Sequence, residues 1–132
     1  MFKVFVYGTL KPEEKNYPRY CQGKTIAEKP CWTKGELFAL SVGYPAMTKG
    51  DDRVYGYLLT FASDAELINL DFLEGYTGIA NSQKNKYDRL WITVYDRDDD
   101  SVVDECWAYF KTPSQIDRLN HQYLPNGHWT NQ

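Results

Sequence analysis

Short apolar runs separated by turn residues predict that strands make up most of the chain. Five segments are rich in β-branched and aromatic residues and are bounded by glycine, proline or charged residues: Lys3–Tyr7, Trp32–Leu40, Val54–Phe61, Leu90–Tyr95 and Val102–Phe110. A loop at 43–45 and a turn at 49–52 separate the second run from the third, and the acidic segment 96–100 joins the last two as a hairpin. Gly35 and Gly56 fall inside predicted strands, which indicates bulges or tight curvature of the sheet.

One helix is predicted between these strand groups, over residues 64–74. Ser63 can cap its first turn, and Glu66, three residues later, can complete a capping box. Gly75 is a natural end point for the helix. Five or more strands with one firm helix predict an α+β fold whose sheet is strongly curved or barrel-like and carries helices outside it. The length of 132 residues suits a single domain over residues 1–132.

The end of this helix has a charged residue where an apolar one is expected. Leu67, Leu70 and Leu73 form an apolar stripe, because successive residues of a helix advance by about 100°. Glu74 lies within that stripe, four residues after Leu70. Burial, the negative end of the helix and the neighbouring charge of Asp71 would each raise the pKa of Glu74. A carboxyl group tuned in this way is suited to general acid–base catalysis.

A structural role for Glu74 is equally open at this point. A glutamate at a frayed helix end can turn into water, or it can pair with a buried arginine such as Arg89. Structural ion pairs also perturb pKa values, so the helical pattern alone does not separate the two interpretations.

A second candidate is the loop Tyr7-Gly8-Thr9-Leu10, which directly follows the first predicted strand. Successive backbone N–H groups in such a loop can converge on an anion, although a glycine that ends a strand is more often only a turn. Together with Glu74, the loop would form a site that binds a carboxylate and transfers a proton, with tyrosines lining it. The sequence contains no set of metal ligands and no phosphate-binding glycine motif.

Charge and composition exclude several classes of function. The net charge of -3 and the pI of about 5.3 give no basic footprint, so no nucleic acid is expected as a partner despite an aromatic content of 16%. No apolar run approaches the ~18 residues of a membrane span, and the first residues lack a signal-peptide core. We therefore expect a cytoplasmic protein without membrane contact. Three cysteines without a C-x-x-C pair are expected to be small buried hydrophobic residues: Cys21, Cys31 and Cys106.

Two further candidate sites are not favoured. The acidic segment 96–100 matches the first ligand positions of a calcium-binding EF-hand loop, but Ser101 replaces the turn glycine and Trp107 the bidentate glutamate. A solvated hairpin tip is the better interpretation. His121 and His128 have no serine or cysteine at motif spacing, so a hydrolase triad has no support and two surface histidines are expected.

Seven short motifs follow one another along nearly the whole chain: Val6-Tyr7-Gly8-Thr9-Leu10-Lys11, Gly43-Tyr44-Pro45-Ala46, Val54-Tyr55-Gly56, Leu70-Asp71-x-x-Glu74-Gly75-Tyr76, Tyr87-x-Arg89, Trp107-Ala108-Tyr109 and Gly127-x-Trp129. Their order and spacing resemble the gamma-glutamylcyclotransferase-like family, in particular its small bacterial and plant-type members. Only the polar segment 13–29 is matched poorly. The resemblance implies a mixed β-barrel of about six strands flanked by helices, with a cavity at one side.

The resemblance also implies the roles of individual residues. Glu74 corresponds to the catalytic glutamate of the family, and the loop from Tyr7 to Leu10 to the backbone amides that hold a gamma-glutamyl group. Tyrosines at Tyr87 and Tyr109 would line the pocket and hydrogen-bond the substrate. Tyr44 and Arg89 also fall on recurring motif positions. The implied substrate-binding residues are Tyr7, Gly8, Thr9, Leu10, Tyr44, Tyr87 and Tyr109.

The implied reaction is an intramolecular aminolysis of the transferase or lyase type. The alpha-amino group of a gamma-glutamyl compound attacks its own gamma-carbonyl carbon, which releases 5-oxoproline and an amine. Glu74 would act first as general base and then as general acid, and this chemistry needs no cofactor. The alternative is a non-catalytic module on the same fold that binds a small carboxylated ligand or a partner protein. The sequence leaves the leaving amine, the oxyanion donor and the oligomeric state open.

Overall fold

A computed structural model describes residues 1–131 of the chain. The described residues form six strands and three helices: β1 (Phe2–Val6), α1 (Tyr17–Tyr20), β2 (Thr25–Leu40), β3 (Pro45–Phe61), α2 (Ala65–Glu74), β4 (Asp88–Asp96), β5 (Val102–Phe110), α3 (Pro113–Asp117) and β6 (His121–Tyr123). The five predicted strands and the predicted helix are all present, while α1, α3 and β6 were not predicted.

The strands form one mixed sheet that closes into a barrel. Hydrogen bonds link the strands in the order β3-β1-β5-β4-β2, and the pairing of β2 with β3 closes the ring. The short strand β6 pairs with the C-terminal end of β2. The pair β1 and β5 is parallel and the other pairs are antiparallel. The prediction of a mixed barrel of about six strands flanked by helices is therefore confirmed.

The strands β2 and β3 form a long hairpin, and the predicted turn at 49–52 is wrong because these residues lie inside β3. Gly35 faces Asp52 in the ladder, whereas the next residue, Glu36, faces Thr48. Three residues of β3 therefore bulge out opposite this step. The predicted irregularity at Gly35 is confirmed. Residues of the segment 49–52, which was predicted to form a turn, instead form a bulge that bends the hairpin.

Gly56 allows β1 and β3 to come close together. A Cβ atom at Gly56 would lie 2.1 Å from the carbonyl oxygen of Val6, at the end of β1. Any side chain at this position would have to displace backbone. The pairing of β2 with β3 has no register shift at Gly56, so there is no bulge at this position. Gly56 is required because β1 and β3 pack closely there.

The first turn of α2 differs from the predicted capping box. The hydroxyl oxygen of Ser63 accepts a hydrogen bond from the Ala65 N–H at 3.2 Å, but the side chain of Glu66 bonds that of Asn69 and does not return to Ser63. The N-cap residue itself makes no side-chain capping bond. The capping-box prediction for α2 is therefore wrong.

Other helix ends follow the rules that the sequence uses. Gly75 ends α2 with φ 69°, in the left-handed region, as predicted. A complete capping box is present at α3, where Thr112 accepts a bond from the Gln115 N–H and the Gln115 side chain accepts one from the Thr112 N–H.

Two apolar clusters hold the barrel and its helices together. Alternate residues of β1 belong to different clusters, with Val4 and Val6 in one and Phe5 in the other. Leu70 of α2 is fully buried in the first cluster, so the helix is anchored on the barrel one turn before Glu74. The cysteines are free and fully buried in these clusters: Cys21, Cys31 and Cys106. Among residues 1–131, no helix is long and apolar enough to cross a bilayer.

Candidate active site

A cavity of about 250 Å³ lies where the end of α2 meets the loop that follows β1. It is lined by all of the residues predicted for the site: Tyr7, Gly8, Thr9, Leu10, Tyr44, Glu74, Tyr87 and Tyr109. The sequence therefore identified residues that the fold brings together from five separate regions of the chain. A cavity of this size suits a small molecule rather than a polymer.

Glu74 contributes an unpaired carboxyl group to this cavity. Within residues 1–131, its side chain makes no hydrogen bond and no ion pair within 4.0 Å. Burial raises the pKa of Glu74 to about 7, and the positive charge of Lys111 opposes that rise. A carboxyl group in this environment changes its protonation state near neutral pH, which suits proton transfer.

The pairing of Glu74 with Arg89, left open by the sequence, does not occur. Arg89 instead donates a hydrogen bond to Asp71 at 2.7 Å, and the second carboxylate oxygen of Asp71 accepts one from the Tyr109 hydroxyl, also at 2.7 Å. Asp71 is not among the causes of the raised pKa of Glu74, so that part of the sequence argument was wrong. The charge that was expected to act on Glu74 is instead paired with the Arg89 guanidinium.

Three tyrosine hydroxyls of the cavity, those of Tyr7, Tyr87 and Tyr109, donate to protein acceptors. The Tyr7 hydroxyl donates to the Tyr109 carbonyl at 2.7 Å and accepts from the Met47 N–H at 3.2 Å. The Tyr87 hydroxyl donates to the Pro45 carbonyl at 2.8 Å. Burial raises the pKa of Tyr7, Tyr87 and Tyr109, so all three phenols stay neutral near pH 7. These bonds fix the rings, and what the hydroxyls can still offer a ligand is a lone pair.

Tyr44 lies on a different part of the wall. Its side chain is 40% exposed and belongs to the loop between β2 and β3. Among residues 1–131, no hydrogen bond from its hydroxyl is found. Tyr44 is therefore free to contact a ligand that enters or leaves the cavity.

The loop after β1 has backbone donors available. The Gly8 carbonyl accepts a bond from the Lys11 N–H at 3.1 Å, and Asn16 bonds both the carbonyl and the hydroxyl of Thr9 at 2.8 and 2.9 Å. Among residues 1–131, no acceptor is found for the N–H groups of Gly8, Thr9 and Leu10. The loop is thus held through its acceptors, and its donors remain available to an anion.

Gly8 is also required for packing at this loop. A Cβ atom there would lie 2.7 Å from Cγ of Pro45, in the wall opposite the loop. The absence of a side chain lets the loop approach the Tyr44–Pro45 segment and narrows the cavity.

Lys111 was missed by the sequence argument. Its side chain is buried, with its Nζ atom donating to the Lys86 carbonyl at 2.6 Å and lying 4.0 Å from the centre of the Tyr87 ring. Burial lowers the pKa of Lys111, and the charge of Glu74 raises it. Lys111 follows Tyr109 by two residues, which places both on one side of an extended chain, and that spacing could have indicated it.

The candidate sites that the sequence did not favour lie elsewhere. Asp100 at the hairpin tip pairs with Arg53 at 2.8 Å and accepts a bond from Trp32. The part of the chain that the structure describes contains no group of three or more acidic, histidine or cysteine side chains placed to hold a metal ion. His121 packs against Phe38, and His128 stacks on Tyr55, so neither lines the cavity.

The family model for gamma-glutamyl cyclotransferase, AIG2-like proteins matches residues 4–131 of the chain. The protein belongs to this family. The resemblance seen in the motifs is therefore confirmed, and it covers every element that lines the cavity.

Individual members of the gamma-glutamyl cyclotransferase, AIG2-like family show how far the likeness extends. The chain is 30% identical over 112 residues to gamma-L-glutamyl-butirosin B gamma-glutamyl cyclotransferase of Niallia circulans, a match that covers 75% of this chain and 70% of that protein. It is 39% identical over 75 residues to the putative gamma-glutamylcyclotransferase YkqA of Bacillus subtilis, covering 55% of this chain and 27% of YkqA.

Solved structures of the family extend the comparison to the fold. The crystal structure of YkqA matches with a TM-score of 0.65 and 25% identity, over 97% of this chain and 39% of that one. This protein therefore spans well under half of YkqA. An AIG2-like protein from Mus musculus matches with a TM-score of 0.67 and 21% identity, over 98% and 88% of the two chains, which supports the fold.

Proposed function

We propose that this protein is a gamma-glutamyl cyclotransferase that converts a gamma-glutamyl compound into 5-oxoproline and a free amine. The observation that carries the proposal is the carboxyl group of Glu74, which lies in the cavity without a protein partner and has a pKa of about 7. Family membership supports the same reaction class. The family match leaves the substrate and the roles of single residues unassigned, and both are part of the proposal.

The reaction begins with loss of a proton from the substrate's alpha-ammonium group. With a pKa of ~8 for the ammonium and ~4.3 for an ordinary glutamate, this transfer is unfavourable by about 5 kcal/mol. A Glu74 pKa of about 7 reduces that to about 1.4 kcal/mol, since one pKa unit corresponds to ~1.36 kcal/mol. Burial of Glu74 therefore makes it a much better base near neutral pH.

The neutral amine then attacks the gamma-carbonyl carbon, closing a five-membered ring and forming a tetrahedral oxyanion. As the intermediate collapses, the bond from carbon to the leaving nitrogen breaks, and Glu74 returns its proton to that nitrogen. The Glu74 carboxylate then takes the second proton of the ring nitrogen, which leaves the lactam N–H of 5-oxoproline, and passes it to the released amine, which departs as an ammonium ion. One carboxyl group thus serves as base and then as acid. Atoms and charges balance without a cofactor.

The loop after β1 would bind the other end of the glutamyl head. The available N–H groups of Gly8, Thr9 and Leu10 are suited to the alpha-carboxylate. Holding the carboxylate there and the ammonium near Glu74 would fold the flexible chain so that the nitrogen meets its carbonyl, which is a proximity effect.

A non-catalytic module that binds a carboxylated ligand is the competing function. An anion-binding cavity gains nothing from an unpaired carboxyl group, because that group repels the ligand when it is ionised. Glu74 therefore favours the enzyme over the module.

The test is 5-oxoproline release from a panel of gamma-glutamyl amino acids, gamma-glutamyl amines, gamma-glutamyl-epsilon-lysine and glutathione. Glu74→Gln keeps the shape of the side chain and removes the base, so we expect release to fall at least ~100-fold, the usual contribution of a general base. Glu66→Gln, on the same helix but outside the cavity lining, is the matched control and should retain activity. Equal release by wild type and Glu74→Gln would disprove the role of Glu74. Ligand binding without release from any panel member would favour the binding module.

A further inference from the structure

The helix α2 is joined to the hairpin of β4 and β5 by three polar side chains that are part of the cavity's support. Arg89 on β4 and Tyr109 on β5 face each other directly in the antiparallel ladder. Asp71 on α2 contacts both, with one carboxylate oxygen 2.7 Å from Arg89 Nη1 and the other 2.7 Å from the Tyr109 hydroxyl. Of the three, only Tyr109 lines the cavity.

Arg89 is held firmly enough to fix the carboxylate. Its guanidinium lies 4.4 Å from the centre of the Trp107 ring and 5.1 Å from that of Tyr76. The side chains of Arg89 and Asp71 are only 16% and 19% exposed, so water competes poorly for the ion pair. The carboxylate oxygen of Asp71 that faces Tyr109 is thus the acceptor of the Tyr109 hydroxyl proton.

The contact with Asp71 determines which hydrogen bonds the Tyr109 hydroxyl can still make. A tyrosine hydroxyl has one proton and two lone pairs, and here the proton is donated to Asp71. Toward the cavity, the hydroxyl can only accept. Tyr87 has the same restriction, because its proton is donated to the Pro45 carbonyl. The hydroxyl oxygens of Tyr87 and Tyr109 are therefore acceptors in the cavity, while the loop of Gly8, Thr9 and Leu10 offers donors.

We propose that Asp71 and Arg89 are positioning residues that hold the Tyr109 hydroxyl as a hydrogen-bond acceptor for the alpha-ammonium group of the ligand. This inference rests on the proposed function for the identity of the head group. It assigns the ligand class as compounds with a free, protonated alpha-amine next to a carboxylate. The preference for ligands with an alpha-ammonium group acts when the ligand binds, before any reaction. It can therefore be measured with ligands that do not react.

The experiment compares two unreactive ligands that differ only in the ammonium group, 5-hydroxy-L-norvaline and 5-hydroxypentanoate. Both have the chain length of the glutamyl head and a hydroxymethyl group in place of the gamma-carbonyl group, so neither can form 5-oxoproline. Dissociation constants are measured by protein NMR titration for the wild type, Tyr109→Phe and Asp71→Asn. We expect the wild type to prefer the ammonium ligand by about tenfold or more, the usual worth of a charge-assisted hydrogen bond.

Tyr109→Phe removes the acceptor and should reduce this preference several-fold, while affinity for 5-hydroxypentanoate changes by less than about twofold. Asp71→Asn keeps the tyrosine hydroxyl but offers it an amide N–H, which frees the phenolic proton to point into the cavity. The preference should then fall at least as far as in Tyr109→Phe. A loss caused only by disturbed packing would weaken both ligands together. If Asp71→Asn does not fold, Arg89→Lys replaces it as the test of positioning, because lysine lacks the fixed planar geometry of the guanidinium that holds Asp71. Tyr109→Phe tests only the acceptor.

An unchanged preference in either variant would overturn the inference, as would a wild type that binds the two ligands equally or binds neither. These outcomes are distinct from failure of the proposed function, which is judged by 5-oxoproline release. A wild type that releases 5-oxoproline while its variants retain full ammonium preference would keep the function and reject the positioning role.

Discussion

At the scale of single residues, the buried carboxyl group of Glu74 links the proposed chemistry to the stability of the fold. The folded protein holds the proton of Glu74 up to a pKa of about 7, whereas an unfolded chain releases it near the ordinary value of 4.5. The stabilising effect of this raised pKa is complete below pH 4.5 and is lost as the pH rises to about 7.

We therefore expect Glu74→Gln to match the wild type in stability at pH 4 and to exceed it at pH 8 by up to about 3 kcal/mol. Glutamine has the shape of protonated glutamate and never acquires the buried charge. Urea unfolding of both proteins at pH 4, 6 and 8 measures the difference in the free energy of unfolding. Parallel pH profiles would show that Glu74 is ionised in the folded state without penalty.

Lys111 provides a second prediction at this scale. Its positive charge lowers the pKa of Glu74, so Lys111→Met should let that pKa rise further. A base with a higher pKa is protonated over a wider range of pH. If the proposed reaction occurs, kcat/KM of the variant should fall several-fold at pH 6 and stay close to wild type at pH 8.5.

The matched control is Lys84→Met, which removes an exposed lysine from the segment before β4. It should leave the pH profile unchanged. A uniform loss of activity across pH in Lys111→Met would instead indicate damaged packing, because Lys111 also bonds the Lys86 carbonyl.

The sequence placed Glu74 correctly but not its neighbours, for a physical reason. Helical periodicity fixes which side of α2 faces the barrel, and that is enough to predict a carboxylate in the cavity. The partner of Asp71 lies 18 residues away on β4, where no local pattern determines the distance. The buried position of Lys111 likewise depends on the contact between the end of β5 and the Lys86 carbonyl.

At the scale of elements, two serine or threonine caps that look alike in sequence differ in structure. The box at α3 is reciprocal between Thr112 and Gln115, whereas Ser63 at α2 makes one bond of 3.2 Å without a return from Glu66. Thr112→Ala should lower the free energy of unfolding by about 1 kcal/mol, while Ser63→Ala should cost less than about 0.5 kcal/mol. Equal losses in chemical denaturation would contradict this difference.

The same scale explains why the turn at 49–52 was mispredicted. Glycine and aspartate favour turns and bulges alike, because both need backbone freedom and tolerate exposure. Which of the two forms depends on the opposite strand. Here Gly35 and Glu36 continue the ladder across the irregularity, so β3 runs on as a single bent strand.

At the scale of the whole molecule, closure of the barrel depends on contacts that no local pattern contains. Periodicity predicted a curved sheet, and the family resemblance supplied the closed barrel. The parallel contact between β1 and β5 brings together Val4 and Trp107, which are far apart in the sequence. The cavity depends on this closure, since Tyr7 and Tyr109 come from the two segments that meet there.

A closed barrel should also open cooperatively, and the three cysteines can report this. Cys21 lies in one apolar cluster and Cys31 and Cys106 in the other, and burial raises the pKa of each thiol to about 12. Only exposed thiolates react rapidly with disulfide reagents. The folded protein should therefore show no fast-reacting thiol, and all three should react in denaturant.

The decisive quantity is the rate of labelling in the absence of denaturant. If the two clusters open together, each thiol becomes exposed only when the whole protein unfolds. The three thiols should then react at one slow rate that matches global unfolding measured by tryptophan fluorescence. Ser114→Cys, at an exposed position on α3, is the positive control and should react at once. If one thiol is labelled faster than the others and this fast phase disappears in Cys21→Ala, the fast thiol is Cys21. That result would show that the segment carrying α1 opens by itself. Because that segment follows the Gly8–Leu10 loop, such opening would also release one wall of the cavity.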